Sequence, residues 1–410
     1  MYGINRWMLS NGTGSPIMPG TKRAVVIDNG PRRINAGFAG HHVLSASIPA
    51  VIGAPKYEGI LFMNSEDDYT YGDEALASFR THTLHHCLAG MGQKANWQYV
   101  ERLWNHIFSQ RLQISPADQP LLLTFSSSFS ISDAAHIARI VFERLQAPAL
   151  YIGLRCVLTL RSMRLDTGLV LEIGKDSSTA TCVANGLIVE SSIERSRNSY
   201  ETILENCKQV SLGNERSTLI EDIETLQTDS VPRHVFIAPD YKVELGKLRW
   251  PRDALYAQVD GAPDRINGDG PSPGELNTRS FSKACFEAPE VLFQPKMFDF
   301  LLESLQELAV RSVQLCKSED QPRLYNNVHL IGETCRIPGI GHRLQKEIQA
   351  LVPPEMRVDV SIPKDPESAS WIGGSQLAAD VDSFENMCVS RDEYETYGLD
   401  AIRTRFHYRA

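Results

Sequence analysis

The sequence predicts an α/β fold built from two similar halves, and three observations carry that expectation. Ala24–Gly40, AVVIDNGPRRINAGFAG, opens on the apolar run Ala24, Val25, Val26, Ile27, which suits a strand covered on both faces. Asp28-Asn29-Gly30 then supplies turn chemistry with a carboxylate at the crest, and a second strand returns. Gly168–Val183, GLVLEIGKDSSTATCV, repeats the design about 140 residues later, with Leu169–Leu171 incoming, Glu172 at the crest, Gly174 in the turn and Thr179–Val183 returning. Third, strand and helix patterns alternate from residue 97 to residue 152. A phosphate chain fits between two such turns, held by backbone N–H groups and a bound cation. Read alone, the first stretch is equally well an ordinary hairpin.

In chain order, Met1–Thr21 is rich in Gly, Ser, Asn and Pro and reads as an extension outside the core, with Trp7 and Met8 able to dock on a neighbour. Pro55–Tyr69 carries Gly59-Ile60-Leu61-Phe62-Met63 in polar surroundings, which suits either a local hairpin strand or an interaction loop. Thr81–Gly92 holds His82, His85, His86 and Cys87. A helix there would put three metal ligands on one face, but Gly90, Gly92 and the missing helical period make a solvated loop the expectation.

Asn96–Gln113 has apolar residues at 97, 100, 103, 104, 107 and 108, a helical period with Asn96 as cap. Leu121–Phe125 predicts a buried strand, Ser132–Leu145 a helix capped by Ser132 or Asp133, and Ala149–Ile152 the next strand. Tyr200–Val210 and Leu219–Leu226 read as helices, whereas Asp260–Gly274 is a Gly/Pro/Asp-rich loop that either contacts a partner or tolerates length. Phe298–Lys317 predicts a long amphipathic helix, Asn327–Ile331 a strand and Ile340–Leu351 a further helix.

A chain of 410 residues exceeds one ordinary core, and 42% hydrophobic with 22% charged residues describes a soluble globular protein. The net charge of −9 excludes a general nucleic-acid binder, which needs a concentrated basic surface. Cysteines at 87, 156, 182, 207, 285, 316, 335 and 388 form no CxxC pair, against both a zinc site and a disulfide framework, so a reducing compartment fits. No apolar run approaches a membrane span, and the N-terminus lacks signal-peptide order.

Six motifs stand in the order and approximate spacing found in actin: AGFAG at Ala36–Gly40, YGDEA at Tyr71–Ala75, LFQP at Leu292–Pro295, IPGIGHRLQKEI at Ile337–Ile348, WIGGS at Trp371–Ser375 and DEY at Asp392–Tyr394. The sequence resembles actins and actin-related proteins over nearly its whole length. The resemblance implies an actin-like fold of two α/β lobes, each with a smaller subdomain, and a cleft between them. It divides the chain into an extension (1–22), subdomain 1 (23–49, 87–162 and 369–410), subdomain 2 (50–86), subdomain 3 (163–198 and 299–368) and subdomain 4 (199–298).

For the nucleotide, the resemblance points to Asp28, Gly30, Glu172, Gly174 and Gly332. Elsewhere the family's parts are replaced. Pro31 and Arg32 stand for serine and glycine, removing an N–H and adding bulk, and Asn35 stands for the phosphate-binding lysine. Lys175 replaces the second acid, which would repel a divalent cation unless it met phosphate directly. Arg155 and Thr179 stand for the water-orienting glutamine and histidine, and threonine lacks histidine's proton chemistry. On the adenine side Glu333 takes the place of a glycine, and Ile337 and Glu367 those of the tyrosine and lysine flanking the base.

The resemblance therefore implies a pseudo-ATPase, with no catalytic residues, no metal and no required cofactor, acting as a structural or adaptor subunit of a multiprotein assembly. The alternative is a polymerising ATP-binding protein, holding ATP or ADP with magnesium, in which Arg32, Arg33 or Lys175 meets phosphate. A sugar or acetate kinase of the same superfamily would need a catalytic aspartate that is not identifiable. The groove where actin's partners insert a helix corresponds to Arg161, Leu187, Leu377 and Met387, and Ile60, Phe62 and Met63 add a loop surface. Expected partners are other proteins, including actin or actin-related subunits, and neither nucleic acid nor membrane. A cytoplasmic cytoskeletal complex, dynein-associated or axonemal, is expected, with a nuclear chromatin-remodelling complex as the alternative. Without ATP to clamp the halves, Arg155, Lys175 and Glu333 are expected to form ion pairs across the cleft.

Overall fold

The computed structural model describes residues 23–56, 68–88, 95–127, 129–212 and 288–406, with the backbone alone for 207–212. The extension at 1–22, the loop residues Ile60, Phe62 and Met63, the expected helix at 219–226 and the loop at 260–274 lie outside the described residues. The chain divides into two compact units, one of 1–89, 94–165 and 368–410, the other of 90–93 and 166–367.

In the first unit the strands are β1 (Val25–Asn29), β2 (Arg33–Phe38), β3 (Ala46–Pro49), β4 (Val51–Pro55), β5 (Thr70–Tyr71), β6 (His82–His86), β7 (Leu121–Phe125) and β8 (Ala149–Leu154). Helices α1 (Asp73–Ala77), α2 (Trp97–His106), α3 (Ile131–Arg139) and α4 (Arg155–Ser162) connect them. In the second unit come β9 (Gly168–Ile173), β10 (Ser178–Ala184), β11 (Leu187–Ile188), β12 (Glu194–Ser196), α5 (Tyr200–Leu212), α6 (Leu305–Gln314), α7 (Gln321–Tyr325), β13 (Val328–Ile331), α8 (Ile340–Leu351) and β14 (Val360–Ser361). The chain then returns to the first unit with α9 (Ala369–Leu377), α10 (Val381–Glu385), β15 (Val389–Ser390), α11 (Arg391–Tyr397) and α12 (Leu399–Phe406).

The two central sheets share one plan. In the first, β3-β2-β1-β7-β8 runs as an antiparallel hairpin extended by parallel strands, with β15 at its end. In the second, β11-β10-β9-β13-β14 repeats that order with the same strand senses, and β12 also pairs with β10. Alternation decides which face each side chain serves. Val25, Ile27, Leu121 and Leu123 enter one core with Trp104 and Phe108, while Val26 and Leu122 enter another with Trp371 and Leu377. Leu169, Leu171 and Ile173 pack with α6 and α8 in the second unit. A fully buried Leu or Ile of this kind contributes about 1.5–3 kcal/mol relative to exposure.

Several boundaries differ from the sequence reading, each for a local reason. His82–His86 is a strand rather than a solvated loop, because it pairs antiparallel along Val51–Pro55. Residues alternate on a strand, so His85 faces away from His82 and His86 and no three-ligand face forms there. The helix expected at 132–145 starts at Ile131 with Ser130 as its cap, since Ser130 and Asp133 bond reciprocally in a capping box. It continues as a π-helical stretch over Ile140–Arg144. Asn96 caps α2 as expected, accepting from the Tyr99 N–H at 3.3 Å. The helix expected from Phe298 begins only at Leu305, where Ser304 and Glu307 form another capping box.

Buried asparagines tie the start of α5 to the chain around residues 288–303 within the second unit. Asn198 is fully buried and its Nδ2 donates to the carbonyls of Val291, Leu292 and Glu303 at 3.2, 3.0 and 3.1 Å. Asn206 Nδ2 donates to Ala288 O at 3.1 Å.

Candidate functional site

Asp28 lies within β1, paired with Asn35, rather than at the crest of the turn. The turn itself is Gly30-Pro31-Arg32-Arg33, closed by the Gly30 N–H donating to Arg33 O at 3.1 Å. The displacement has a tertiary cause. Asn29 Oδ1 accepts from Trp104 Nε1 at 2.9 Å and its Nδ2 donates to Thr124 O at 3.3 Å, so Asn29 braces two elements instead of bending the chain. A Cβ on Gly30 would sit 2.6 Å from Arg33 O, so only glycine fits this turn.

Asp28 is 1% exposed, and its carboxylate meets Thr124, Ser370 and Arg155, all of the first unit. The Thr124 hydroxyl, opposite Asp28 in the β1–β7 register, donates to one oxygen, and Ser370 Oγ donates to the other at 2.8 Å. Arg155, itself 6% exposed, brings its Nε within 3.3 Å of Oδ1. Because β8 runs directly into α4, Arg155 occupies the first helical position, where the positive helix end disfavours a cation. The Asp28 carboxylate offsets that cost. Arg155 thus meets a partner within its own unit.

The neighbouring position is equally occupied. Asn35 Oδ1 accepts from Ser47 Oγ at 2.6 Å, and Arg33 donates to Ser47 Oγ from Nε at 3.0 Å and to Ser47 O from Nη2 at 2.7 Å.

In the second unit the hairpin repeats this geometry. Glu172 lies within β9 opposite Thr179, not at the crest, and Gly174 is in the turn as expected. Its N–H donates to Ser177 O at 3.0 Å, and a Cβ there would stand 2.8 Å from the same oxygen. Lys175 and Asp176 form the tip, whose carbonyls are held by the start of α5: Tyr200 N–H donates to Gly174 O at 3.2 Å and Glu201 N–H to Lys175 O at 2.9 Å. Thr179 is buried and pairs on its other side with Arg195. Burial pushes the Arg195 guanidinium below its ordinary range, opposed by the negative charges of Glu172 and Asp176. Arg195 thus lies one strand away from Glu172, across Thr179.

Gly332 has φ +97°, and a Cβ on it would lie 2.6 Å from Ile173 O, so the β13 exit presses against β9. Glu333 opens the 3-10 turn Glu333–Arg336. Ile337 is 1% exposed and belongs to the core, and Glu367 is ion-paired with Arg336.

Of the expected partner residues, Leu377 is buried with Met387 packed on the same cluster, and Leu187 is exposed on the second unit. Arg161, in the last turn of α4, is half-buried beside Tyr151, and burial pushes its guanidinium down.

Sequence reasoning missed Thr124, Ser370, Arg195 and Arg336. Thr124 carried a signal, a hydroxyl inside the apolar run LLLTF, but Ser370 and the two arginines had none short of the folded register.

Two α/β units of one topology, each presenting an acid-bearing hairpin with a glycine-closed turn, define the class of two-lobed proteins built on duplicated hairpin sheets. A family model described as Actin matches residues 20–215 and 198–407, and the chain belongs to the actin family.

Proposed function

We propose that this actin-family chain is a non-catalytic structural or adaptor subunit of a larger protein assembly, cytoskeletal in character. The observation that carries the reading is the Asp28–Arg155 ion pair. In an ATPase of this kind the hairpin carboxylate serves the hydration shell of magnesium, and polar groups orient the attacking water. Here the carboxylate is neutralised by a guanidinium, and the arginine stands where the resemblance places a water-orienting glutamine. Asn35 and Arg33 are bound to Ser47, Ile337 is in the core and Glu367 is paired to Arg336, which supports loss of the lysine and base contacts as well. Its work then lies in surface contacts with other proteins, with no call on nucleic acid or membrane.

The deciding experiment is acid release and quantification of nucleotide from protein purified without added ATP. Nucleotide far below one per chain is expected. Near-stoichiometric ADP or ATP would overturn the reading in favour of a polymerising ATP-binding protein, which the two preserved glycine turns favour. Magnesium- and ATP-dependent pelleting would then follow.

A further inference from the structure

We propose that Cys182 and Cys316 form a disulfide on oxidation, a reversible modification site inside the second unit. Cys182 lies on β10 and points into the core, and Cys316 follows the end of α6. Both are free thiols. Ser312, one helical turn before Cys316, touches both sulfurs: its Oγ is 3.4 Å from Cys182 Sγ, and its carbonyl accepts from Cys316 Sγ at 3.6 Å. Ser312 Oγ is itself fixed, donating to Ser192 O at 2.6 Å, and Ser192 Oγ accepts from the Cys182 N–H at 3.0 Å. The two side chains are therefore held against one shared serine from opposite elements.

The chemistry is asymmetric in a useful way. The Cys182 side chain beside it holds Cys316 below its ordinary thiol range, while Cys316 and burial push Cys182 up. The thiolate is the reactive form, so Cys316 is the attacking sulfur. It is also the more exposed of the two, at 7% against 0%. With a hydroperoxide as oxidant, the Cys316 thiolate attacks one peroxide oxygen, the O–O bond breaks, and a sulfenic acid and water result. Cys182 sulfur then attacks the sulfenic sulfur and expels hydroxide, which leaves as water with the Cys182 proton. Two thiols lose two electrons and two protons, and one hydrogen peroxide becomes two waters. The bond would tie β10, the returning strand of the second hairpin, to α6, and close the chain between them into a loop.

The test is hydrogen peroxide titration of the full chain, followed by intact mass and non-reducing peptide mapping. A mass lower by two hydrogens, a single linked peptide pair containing Cys182 and Cys316, reversal by dithiothreitol and a Tm raised by several degrees are expected. Cys182→Ala and Cys316→Ala should each abolish the linked pair. A link to any other cysteine, or Cys316 oxidised to sulfinic acid with Cys182 still free in the unsubstituted protein, overturns the proposal whether or not the variants fold.

Discussion

The hairpins of the two units share a backbone and differ in how they treat their acid. In both, a glycine N–H closes a four-residue turn, and the acid sits two residues before that glycine. Asp28 is buried, takes two hydroxyl donors and touches a guanidinium directly. Glu172 is half-buried, and its arginine stands one strand away across Thr179. The difference teaches that one turn geometry, fixed by steric demand on a single glycine, leaves the charge of its acid to be met by whatever the surrounding sheet supplies. Burial sets how completely that must be done.

The largest effect should come from unbalancing the first hairpin. Arg155→Gln leaves Asp28 buried without its cation and should cost about 3–5 kcal/mol in urea denaturation, and Asp28→Asn in the same chain should recover most of it. A loss below about 1 kcal/mol would mean that the pair does not balance the buried charge.

Next in size is a pH effect beside the second hairpin, where His329 on β13 pairs with Val170 of β9. Burial holds its imidazole down to about 4 from an ordinary 6.5, with Asp359 opposing, and its Nδ1 lies 2.7 Å from Ser361 Oγ. Between those values the unfolded chain binds the proton and the folded one does not, so stability falls as pH drops from 6.5 towards 4. About 3 kcal/mol should be withdrawn over that window, and His329→Gln should flatten the curve.

Gly30→Ala and Gly174→Ala test what the two hairpins share. Each forces a Cβ onto a turn carbonyl and should cost about 1–3 kcal/mol, with similar values at the two sites. A large effect at one site alone would break the equivalence. The smallest change is expected from Arg195→Gln, where a partly solvated pair is worth roughly 0–1 kcal/mol.

What the sequence disclosed follows the same division between local and tertiary causes. The strand cores of both hairpins and the glycines of their turns were legible, because apolar runs and turn residues are local signals. The crest was placed two residues early in the first hairpin, since Asn29 looks like a turn residue until Trp104 claims it. His82–His86 was unreadable as a strand because its pattern is polar and its partner, Val51–Pro55, alone makes it one. At the site, Arg155 was singled out through the resemblance, at the position where the family has a glutamine. Its attachment to Asp28 was not, because it depends on β8 delivering α4 beside β1 and on α9 bringing Ser370 from the far end of the chain.

The buried asparagines Asn198 and Asn206 have a consequence for how this chain can vary over generations. They clasp the carbonyls of Leu292 and Ala288, so chain positions far apart in sequence are held together by buried side-chain amides. Loss of either amide would leave a buried carbonyl without that donor, so these two positions admit little change while the sheet they serve keeps its register.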